Sequence, residues 1–390
     1  MAVPKLRFKE FKEDWERIKL AKIVAIIKEK NDGANHPIMM LSAGKGFIHQ
    51  KEKYSKDNTG SSLKKYILLR RGDLAYNRGN SKLRKYGCIF ELEKLSALVP
   101  YVYHCFRMKN DNPTFFGKYL NSGKIDKSLR GIISSSARID GLLNVSEKDF
   151  FNIFVSKPTL SEQQKIADFL TTFDKRITAQ QNIIADLEET KKGLLQKIFS
   201  QEIRFKDDNG QDYPEWEVHK LSEYAKYVSS NASCEAPCYL GTEDMISNFG
   251  GVNITKLHGN YSGYRFAKND IILGNIRPYL RKCWISDREG VCSTDLLVMN
   301  VKGICPKILF MKMCTDEFFI YNMKGAKGTK MPRGDKKHIM NWTFHLPTNE
   351  EEQRKIADFL STFDKKISAE KQILSDLKEM KKGLLQQMFV

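Results

Sequence analysis

The chain has 390 residues, of which 65 are Lys or Arg and 47 are Asp or Glu, so its formal net charge is +18 and its pI is near 9.3. This length favours two or three domains, and no apolar run approaches the roughly 18 residues of a membrane span. The excess of cations favours a polyanionic partner, most often nucleic acid, over a basic protein without such a partner.

The N-terminus and the cysteines indicate the compartment. The sequence is charged from residue 5 onward and has no apolar core there, so we predict no signal peptide. The eight cysteines form no C-x-x-C pair, and Cys234 and Cys238, the closest two, have no second pair at zinc-site spacing. We therefore predict reduced thiols, a cytoplasmic location and no metal site.

Residues 1–160 are predicted to form a mixed α/β globular domain, because short stretches of aromatic and β-branched residues alternate with turn-forming loops. The domain begins with a leading segment that contains Arg7 and Trp15. Asp73 precedes Arg84 by eleven residues across a loop rich in Asn, Arg and Gly. A second basic loop follows at residues 134–141.

Residues 161–201 are predicted to form one long helix. Its apolar residues recur at steps of three, four and seven, which is the spacing of a coiled-coil seam. Ser161 with Gln164 is the predicted N-terminal cap. About 40 residues at 1.5 Å each give a rod of about 60 Å.

Residues 202–348 and 349–390 repeat this layout as a second globular domain and a second helix. Arg204 and Trp216 match the Arg and Trp of the first leading segment, and Asp270 again precedes Arg281 by eleven residues. A basic loop follows at residues 326–337. The second helix is capped in the prediction by Asn349 with Glu352.

The two helical segments are copies of one sequence. Gln163–Phe199 aligns without gaps on Gln353–Phe389, with 24 of 37 positions identical, which indicates an internal duplication. Gly193 and Gly383 occupy the same place in both copies, although a mid-helix glycine costs roughly 1 kcal/mol relative to alanine. Close approach of two helices or a kink near the helix end explains such a glycine.

We predict that the two apolar stripes pack against each other; the alternative is that each helix packs on its own globular domain. The predicted seam consists of Ile166, Leu170, Phe173, Ile177, Ile184, Leu187, Leu194, Ile356, Leu360, Phe363, Ile367, Leu374, Leu377 and Leu384.

Catalytic signatures are not evident in the sequence. It contains no Walker A motif, no G-x-S-x-G elbow and no H-E-x-x-H. The stretch DNPTFF at Asp111–Phe116 differs from the Asn-Pro-Pro-aromatic signature of adenine methyltransferases by Thr114. We expect no catalytic residues. A non-catalytic protein that binds DNA fits these observations. Three alternatives remain: a methyltransferase or nuclease with unrecognised motifs, a coiled-coil scaffold without a DNA role, and an RNA-binding module.

A set of repeated motifs resembles a known family. These motifs are the proline-to-glutamine stretch that leads into KIADFL, the later FDKRI and KKGLLQ, and the two Trp-Glu leading segments. They resemble the DNA-specificity subunit of Type I restriction–modification systems. The resemblance covers essentially the whole chain. It implies an α/β (α+β) architecture of two target-recognition domains separated by two long helices, which form an antiparallel coiled coil with pseudo-twofold duplication.

The resemblance also implies a role. It implies a non-catalytic subunit that binds double-stranded DNA, reads a bipartite asymmetric target and recruits two methyltransferase subunits, to which two motor-nuclease subunits can add. S-adenosylmethionine, ATP and Mg are expected in those partners, and no cofactor is expected in this chain.

The predicted DNA contacts lie on the basic loops, because Lys and Arg neutralise phosphates while Arg, Asn and Gln match base edges. The predicted residues are Asn77, Arg78, Asn80, Lys82, Arg84, Arg138, Asn275, Arg277, Tyr279, Arg281, Lys330 and Arg333. The alternative for each is a solvent-facing side chain or a structural ion pair. Asp73 with Arg84 and Asp270 with Arg281 are candidates for internal pairs, since both domains keep one spacing.

Overall fold

The structure, a computed structural model, describes residues 3–53, 60–79, 81–133, 143–255 and 258–390. The chain divides into two compact units. Unit 1 contains Met1–Gln181 and Gln372–Val390, and unit 2 contains Asn182–Lys371. Unit 1 therefore contains the first globular domain and unit 2 contains the second, each with segments of both long helices.

In its described residues, the first domain contains ten short strands and five short helices, followed by the first long helix. The strands are β1 (Glu16–Lys19), β2 (Val24–Ile26), β3 (Met39–Ser42), β4 (Gly46–His49), β5 (Ile67–Arg70), β6 (Leu74–Asn77), β7 (Cys88–Glu91), β8 (Ser96–Val99), β9 (His104–Met108) and β10 (Phe154–Lys157). The helices are α1 (Leu20–Ile23), α2 (Gln50–Lys53), α3 (Pro113–Leu120), α4 (Asp126–Ile132), α5 (Glu147–Phe151) and the long α6 (Leu160–Phe199).

The second domain also has ten strands among the described residues but four short helices, and it leads into the second long helix. Its strands are β11 (Glu217–Lys220), β12 (Ala225–Val228), β13 (Asn231–Glu235), β14 (Tyr239–Leu240), β15 (Asn260–Phe266), β16 (Ile271–Gly274), β17 (Cys283–Ile285), β18 (Gly290–Cys292), β19 (Leu296–Val301) and β20 (Thr343–Leu346). Its helices are α7 (Leu221–Tyr224), α8 (Pro306–Met313), α9 (Asp316–Lys324), α10 (Lys336–Met340) and the long α11 (Glu350–Met388).

The sheets show that the duplication extends into the globular domains. The strand order β2-β9-β6-β7 in the first domain corresponds to β12-β19-β16-β17 in the second, and both sheets are antiparallel. Two-stranded ribbons, β1-β10 and β11-β20, also correspond. The remaining sheets differ: β3-β4 and β5-β8 in the first domain, and a four-stranded sheet β13-β15-β18-β14 in the second.

Each domain core takes in residues from both long helices. In unit 1, Ile166 and Leu170 of α6 and Phe389 after α11 belong to the cluster that contains Trp15 and Phe115. In unit 2, Ile356 and Leu360 of α11 and Phe199 of α6 belong to the cluster that contains Trp342 and Phe318. Burying each such side chain contributes about 1.5–3 kcal/mol, so the helix ends are integral to the domains.

A buried glutamine fixes the start of each long helix. Gln163 donates to the Pro158 carbonyl at 2.9 Å and accepts the Asn112 N–H at 2.9 Å. Gln353 donates to the Pro347 carbonyl at 2.9 Å. The second proline lies one residue further from its glutamine than the first does, yet the same bond forms.

The caps agree with the prediction at one helix only. Asn349 Oδ1 accepts the N–H groups of Glu351 and Glu352 at 2.8 and 3.2 Å, as predicted. The predicted Ser161 cap is wrong, because α6 begins at Leu160 and Thr159 Oγ1 accepts the first-turn N–H of Glu162 at 3.4 Å.

Ion pairs show that the two helices run antiparallel in each unit. Asp174 of α6 pairs with Lys381 of α11 in unit 1. In unit 2, Lys191 pairs with Asp364 at 2.5 Å, which is the same pair with the two helices exchanged. Later residues of one helix thus meet earlier residues of the other. The predicted fold class, with an antiparallel helix pair and an internal duplication, is confirmed.

The leading segment is held by the end of a long helix in both units. The Leu6 N–H donates to the Gln387 carbonyl at 3.0 Å in unit 1. The Ile203 N–H donates to the Lys197 carbonyl at 3.1 Å in unit 2. Lys197 and Gln387 are equivalent positions in the duplication. The first leading segment therefore binds the end of α11 in the same way as the second leading segment binds the end of α6.

Candidate nucleic-acid interface

The structure describes four of the predicted DNA-binding residues of the first domain. Arg78, Lys82 and Arg84 lie in the loop between β6 and β7, residues 78–87, and Asn77 lies at the end of β6. Asn77 Nδ2 donates to the Leu41 carbonyl at 3.1 Å, and its Oδ1 accepts the Gly79 N–H at 2.9 Å. Asn77 thus shapes the start of the loop, since both ends of its amide are engaged within the domain.

Arg78 ties this loop to the rest of the first domain. Its guanidinium donates to the carbonyls of Val102 and Val145 at 3.2–3.3 Å. The Arg78 carbonyl accepts the Leu143 N–H at 2.9 Å. This bond ties the start of the β6–β7 loop to Leu143, which comes two residues after the second basic loop in the sequence.

The tip of the loop is more exposed. Lys82 is exposed, Leu83 is 74% exposed and Arg84 is half-buried. Burial raises the pKa of Asp126 in α4, and the charge of nearby Arg84 opposes that rise. Two further predicted contacts, Asn80 and Arg138, lie outside the described residues, as does the loop 134–142.

In the second domain, the loop between β16 and β17 turns sharply. Arg277 and Arg281 have left-handed backbones, with φ of +54° and +53°, on either side of the turn Pro278–Leu280. Arg277 and Tyr279 are exposed. Tyr279 borders a shallow groove of about 410 Å³, which is lined by Tyr279, Arg281, Phe319, Ile320, Met323 and Lys324.

The two basic loops of the second domain are bonded to each other. The Arg277 N–H donates to the Pro332 carbonyl at 2.8 Å, and the Gly334 N–H donates to the Asn275 carbonyl at 3.2 Å. Ile276 and Arg333 form an antiparallel bridge between these bonds. Residues that are more than 50 positions apart in the sequence thus form one continuous surface.

Arg281 anchors its loop. Its guanidinium donates to Asp316 at the start of α9 and lies 6.0 Å from the Phe319 ring centroid. The hydrogen bond from Arg281 lowers the pKa of Asp316. Arg281 is therefore better suited to positioning its loop than to reading bases, whereas Arg84 acts on Asp126 of the first domain through its charge.

Three exposed cations of the second basic loop, Lys330, Lys336 and Lys337, have no ion-pair partner among the described residues. Arg333 pairs with Asp295 at 3.2 Å. Lys327 donates to Asp335 at 2.6 Å, and this bond, with two backbone N–H groups, holds the pKa of Asp335 at about 2. The loop therefore retains a cationic tip above a base of internal pairs.

The proposed internal pairs Asp73–Arg84 and Asp270–Arg281 are wrong. Asp73 accepts bonds from the Arg107 guanidinium at 2.6 and 2.9 Å. Asp270 accepts a bond from Asn300 Nδ2 at 2.8 Å. Each aspartate also accepts a backbone N–H three residues earlier, at 2.7 and 2.8 Å. The shared aspartate thus braces the turn before β6 or β16 against the adjacent strand.

Comparison with known proteins identifies the family. The family described as "Type I restriction modification DNA specificity domain" matches the chain twice, at residues 12–189 and 213–379. The chain belongs to this family. These two matches cover most of the sequence and correspond to its two halves, so the duplication found in the helices is the duplication of a whole specificity domain.

Relatives of this specificity subunit include the Type I restriction enzyme MjaVIII specificity subunit of Methanocaldococcus jannaschii. It is 24% identical over 96% of this chain and 91% of that protein. The EcoDI specificity subunit of Escherichia coli is 21% identical over 92% of this chain and 84% of that protein. The function that follows is recognition of a DNA target within a restriction–modification complex, as a component without catalysis of its own.

Solved structures share the fold. The Type I restriction–modification S subunit of M. genitalium has a TM-score of 0.58 and 14% identity, covering 100% of this chain and 99% of that one. A chain from a structure of the assembly and conformational transition of a type I R-M system has a TM-score of 0.54 and 13% identity, covering 98% and 99%.

The burial of the helix stripe of this specificity subunit tests the predicted seam. Every predicted seam residue is buried or half-buried. Those nearest the start of each helix, such as Ile166 and Ile356, pack in a domain core. The residues further along, such as Ile184 and Leu377, are buried beyond those cores. The alternative, packing on the domain, therefore applies near the start of each helix, and the pairing of the two stripes stays a prediction for the rest.

Three further observations concern membrane spans, clusters of metal-binding side chains and the repeated glycines. No helix in the described ranges is long and apolar enough to cross a membrane. Among those same residues, no three His, Cys, Asp or Glu side chains are arranged to hold a metal ion. Close helix packing does not explain the repeated glycines, because a Cβ at Gly193 or Gly383 would meet nothing within 4 Å.

Sequence reasoning missed the partners that shape the loops. Arg107 and Asn300, which hold the shared aspartates, lie on the neighbouring strands β9 and β19, and only the sheet pairing brings them close. It also missed segment 246–251, which lies against the β16–β17 loop. The signal for that segment was the sequence SNFGG, which is typical of a turn.

Proposed function

We propose that this specificity subunit reads a split, asymmetric DNA target, with one half read by each domain. Some features are the same in both halves of the chain and others differ, and this pattern supports the proposal. The anchors are repeated, namely the buried glutamines at the helix starts and the partly exposed Asp–Lys pairs between the helices. The equivalent loops differ, reading RGNSKLRKYG at residues 78–87 and NIRPYLRK at residues 275–282. Equal scaffolds with unequal loops suit two different half-sites.

The loop cations would supply two kinds of contact. Lys82, Arg277, Lys330 and the partly paired Arg333 are placed to neutralise phosphates, which gives affinity that falls with salt. Base reading requires Asn, Arg or Tyr side chains that are free to turn toward a groove, each worth about 1–3 kcal/mol. The predicted contacts Asn77, Arg78 and Arg281 already have hydrogen-bond partners inside the domains, so we assign them to loop positioning. Arg84 stays among the candidates for DNA contact.

We further propose that the repeated helices present equivalent surfaces to two methyltransferase subunits. Ile183 and Ile373 occupy the same position in the two copies and are 44% and 45% exposed. Apolar side chains exposed at matched positions suit two copies of one partner. In this proposal S-adenosylmethionine is bound by those subunits, ATP and Mg by motor-nuclease subunits that join them, and the complex works in the cytoplasm.

A map of N6-methyladenine in source cells with and without this gene tests the proposal. We expect one split, asymmetric motif to lose methylation when the gene is deleted. Replacing residues 1–160 with the equivalent part of another specificity subunit should then change one half of the motif and leave the other half intact. A change in both halves, or an unchanged methylation map in cells that make the protein, would contradict it.

A further inference from the structure

Unusual backbone conformations are concentrated at one place in unit 2. Six residues other than glycine have left-handed backbones in the described part of the chain. Four of them are Asn248, Phe249, Arg277 and Arg281, with φ between +53° and +59°. This conformation is disfavoured for residues with a Cβ and for bulky ones most of all, so it persists only where the surroundings enforce it.

The four residues belong to two segments that are bonded to each other. The Asn248 N–H donates to the Leu280 carbonyl at 3.0 Å, and the Phe249 N–H donates to the Arg281 carbonyl at 3.0 Å. The left-handed turn of one segment therefore fits against the left-handed turn of the other. Segment 246–251 is part of the same surface as the predicted DNA-reading loop.

A single buried ring supports both segments. The Phe249 ring centroid lies 5.3 Å from that of Phe319, and the Arg281 guanidinium lies 6.0 Å from the same ring. Phe319 is only 2% exposed. Because α9 holds this ring, the two segments are fixed relative to each other and to the domain core before any DNA arrives.

Asn248 is placed on this support with its side chain exposed. Its amide has no hydrogen-bond partner among the residues that the structure describes. An asparagine amide offers one donor and one acceptor side by side, which is the pattern that matches N7 and N6 of adenine in the major groove. The alternative is that Asn248 is only a turn residue, since asparagine tolerates a left-handed backbone. That alternative does not explain why Phe249 and Arg277 are left-handed as well.

We propose that Asn248 is a base-reading residue of the second domain and recognises an adenine through its amide. The left-handed cluster of Asn248, Phe249, Arg277 and Arg281 holds it against the turn that begins after the exposed Arg277. This inference rests on the proposed function, since it specifies one determinant of the half-site that the second domain reads.

Asn248→Gly is the direct test, because glycine keeps the left-handed backbone and removes only the amide. Asn269→Gly is a matched control. Asn269 is also exposed and left-handed, with φ of +70°, but it lies in the turn before β16, where its N–H donates to Ser286 at 2.9 Å. Each full-length variant is produced with its partner subunits in cells that lack this methylation, and N6-methyladenine is mapped on plasmids carrying all four bases at each motif position.

We expect Asn248→Gly to lose discrimination for adenine at one position of one half-site by about 5- to 150-fold, with the other half unchanged. Asn269→Gly should give the wild-type motif. Asn248→Asp should shift preference at the same position toward cytosine, whose N4 amino group donates to a carboxylate.

An unchanged motif for Asn248→Gly would overturn the inference, as would an equal loss of methylation on all sequences, which marks a phosphate contact. The proposed function fails separately, if the wild-type complex itself methylates no split motif.

Discussion

Replacing Arg7 by methionine should destabilise unit 1 more than the equivalent change, Arg204→Met, destabilises unit 2. Arg7 donates through Nε and Nη2 to both oxygens of Glu162, each at 2.7 Å, and the Glu162 side chain is fully buried. Arg204 reaches the equally buried Glu352 only at 3.4 and 3.5 Å. The two anchors are copies, but their bonding differs.

The tryptophan of each leading segment explains the difference. Trp216 Nε1 donates to Glu352 at 3.0 Å, whereas Trp15 Nε1 has no hydrogen-bond partner among the described residues. Without Arg204, Glu352 would keep one donor. Without Arg7, a buried carboxylate would lose its bidentate partner.

Breaking a buried ion pair by removing one partner costs about 3–5 kcal/mol, which we expect for Arg7→Met. Losing a weaker bond to a charged group costs about 1.5–3 kcal/mol, which we expect for Arg204→Met.

Urea denaturation of the full chain measures these costs. Hydrogen exchange of peptides from unit 1 and unit 2 assigns each loss to its unit. Lys12→Met is the control, because Lys12 is an exposed cation of the same leading segment and should change stability by less than about 0.5 kcal/mol.

The double variant with Glu162→Gln should recover part of the Arg7→Met loss, because no unpaired buried charge then remains. The reasoning is refuted if Arg7→Met costs less than about 1 kcal/mol, or if Arg204→Met costs as much or more.

Three further outcomes are expected. Gly193→Ala and Gly383→Ala should each stabilise the isolated chain by up to about 1 kcal/mol in urea titrations, since a Cβ has open space there. If either variant binds the methyltransferase partner more weakly, the glycine is needed for close contact with that partner. A circular permutant with joined termini, opened before Gly210, should keep its thermal midpoint within a few degrees, because the chain start already binds the end of α11. Asp335→Asn keeps the helix cap but loses the bond to Lys327. Because the folded pKa of Asp335, about 2, lies below its usual value, the stability difference from wild type should be constant above about pH 5 and shrink as pH falls from about 4 toward 2; a difference that grows on acidification contradicts the assignment.

The long helices could be predicted from sequence because their signal is periodic and duplicated. Each seam residue is at least half-buried, and the observed helices Leu160–Phe199 and Glu350–Met388 are close to the predicted segments. The stripe does not tell which partner covers it. Ile166 and Ile356 pack in the domain cores, and the spacing of apolar residues is the same whichever surface covers them.

The loops of the candidate interface were predicted by position but not by role. A basic loop in a sequence does not show which of its cations already has a partner, and Arg78 and Arg281 find theirs across 67 and 35 residues. The same limit hid segment 246–251, which reaches the interface only through bonds to the carbonyls of Leu280 and Arg281. A reading surface assembled from segments that are distant in sequence leaves no local pattern. Its determinants are found from backbone strain and from side chains that remain unpaired in the folded domain, and Asn248 meets both conditions.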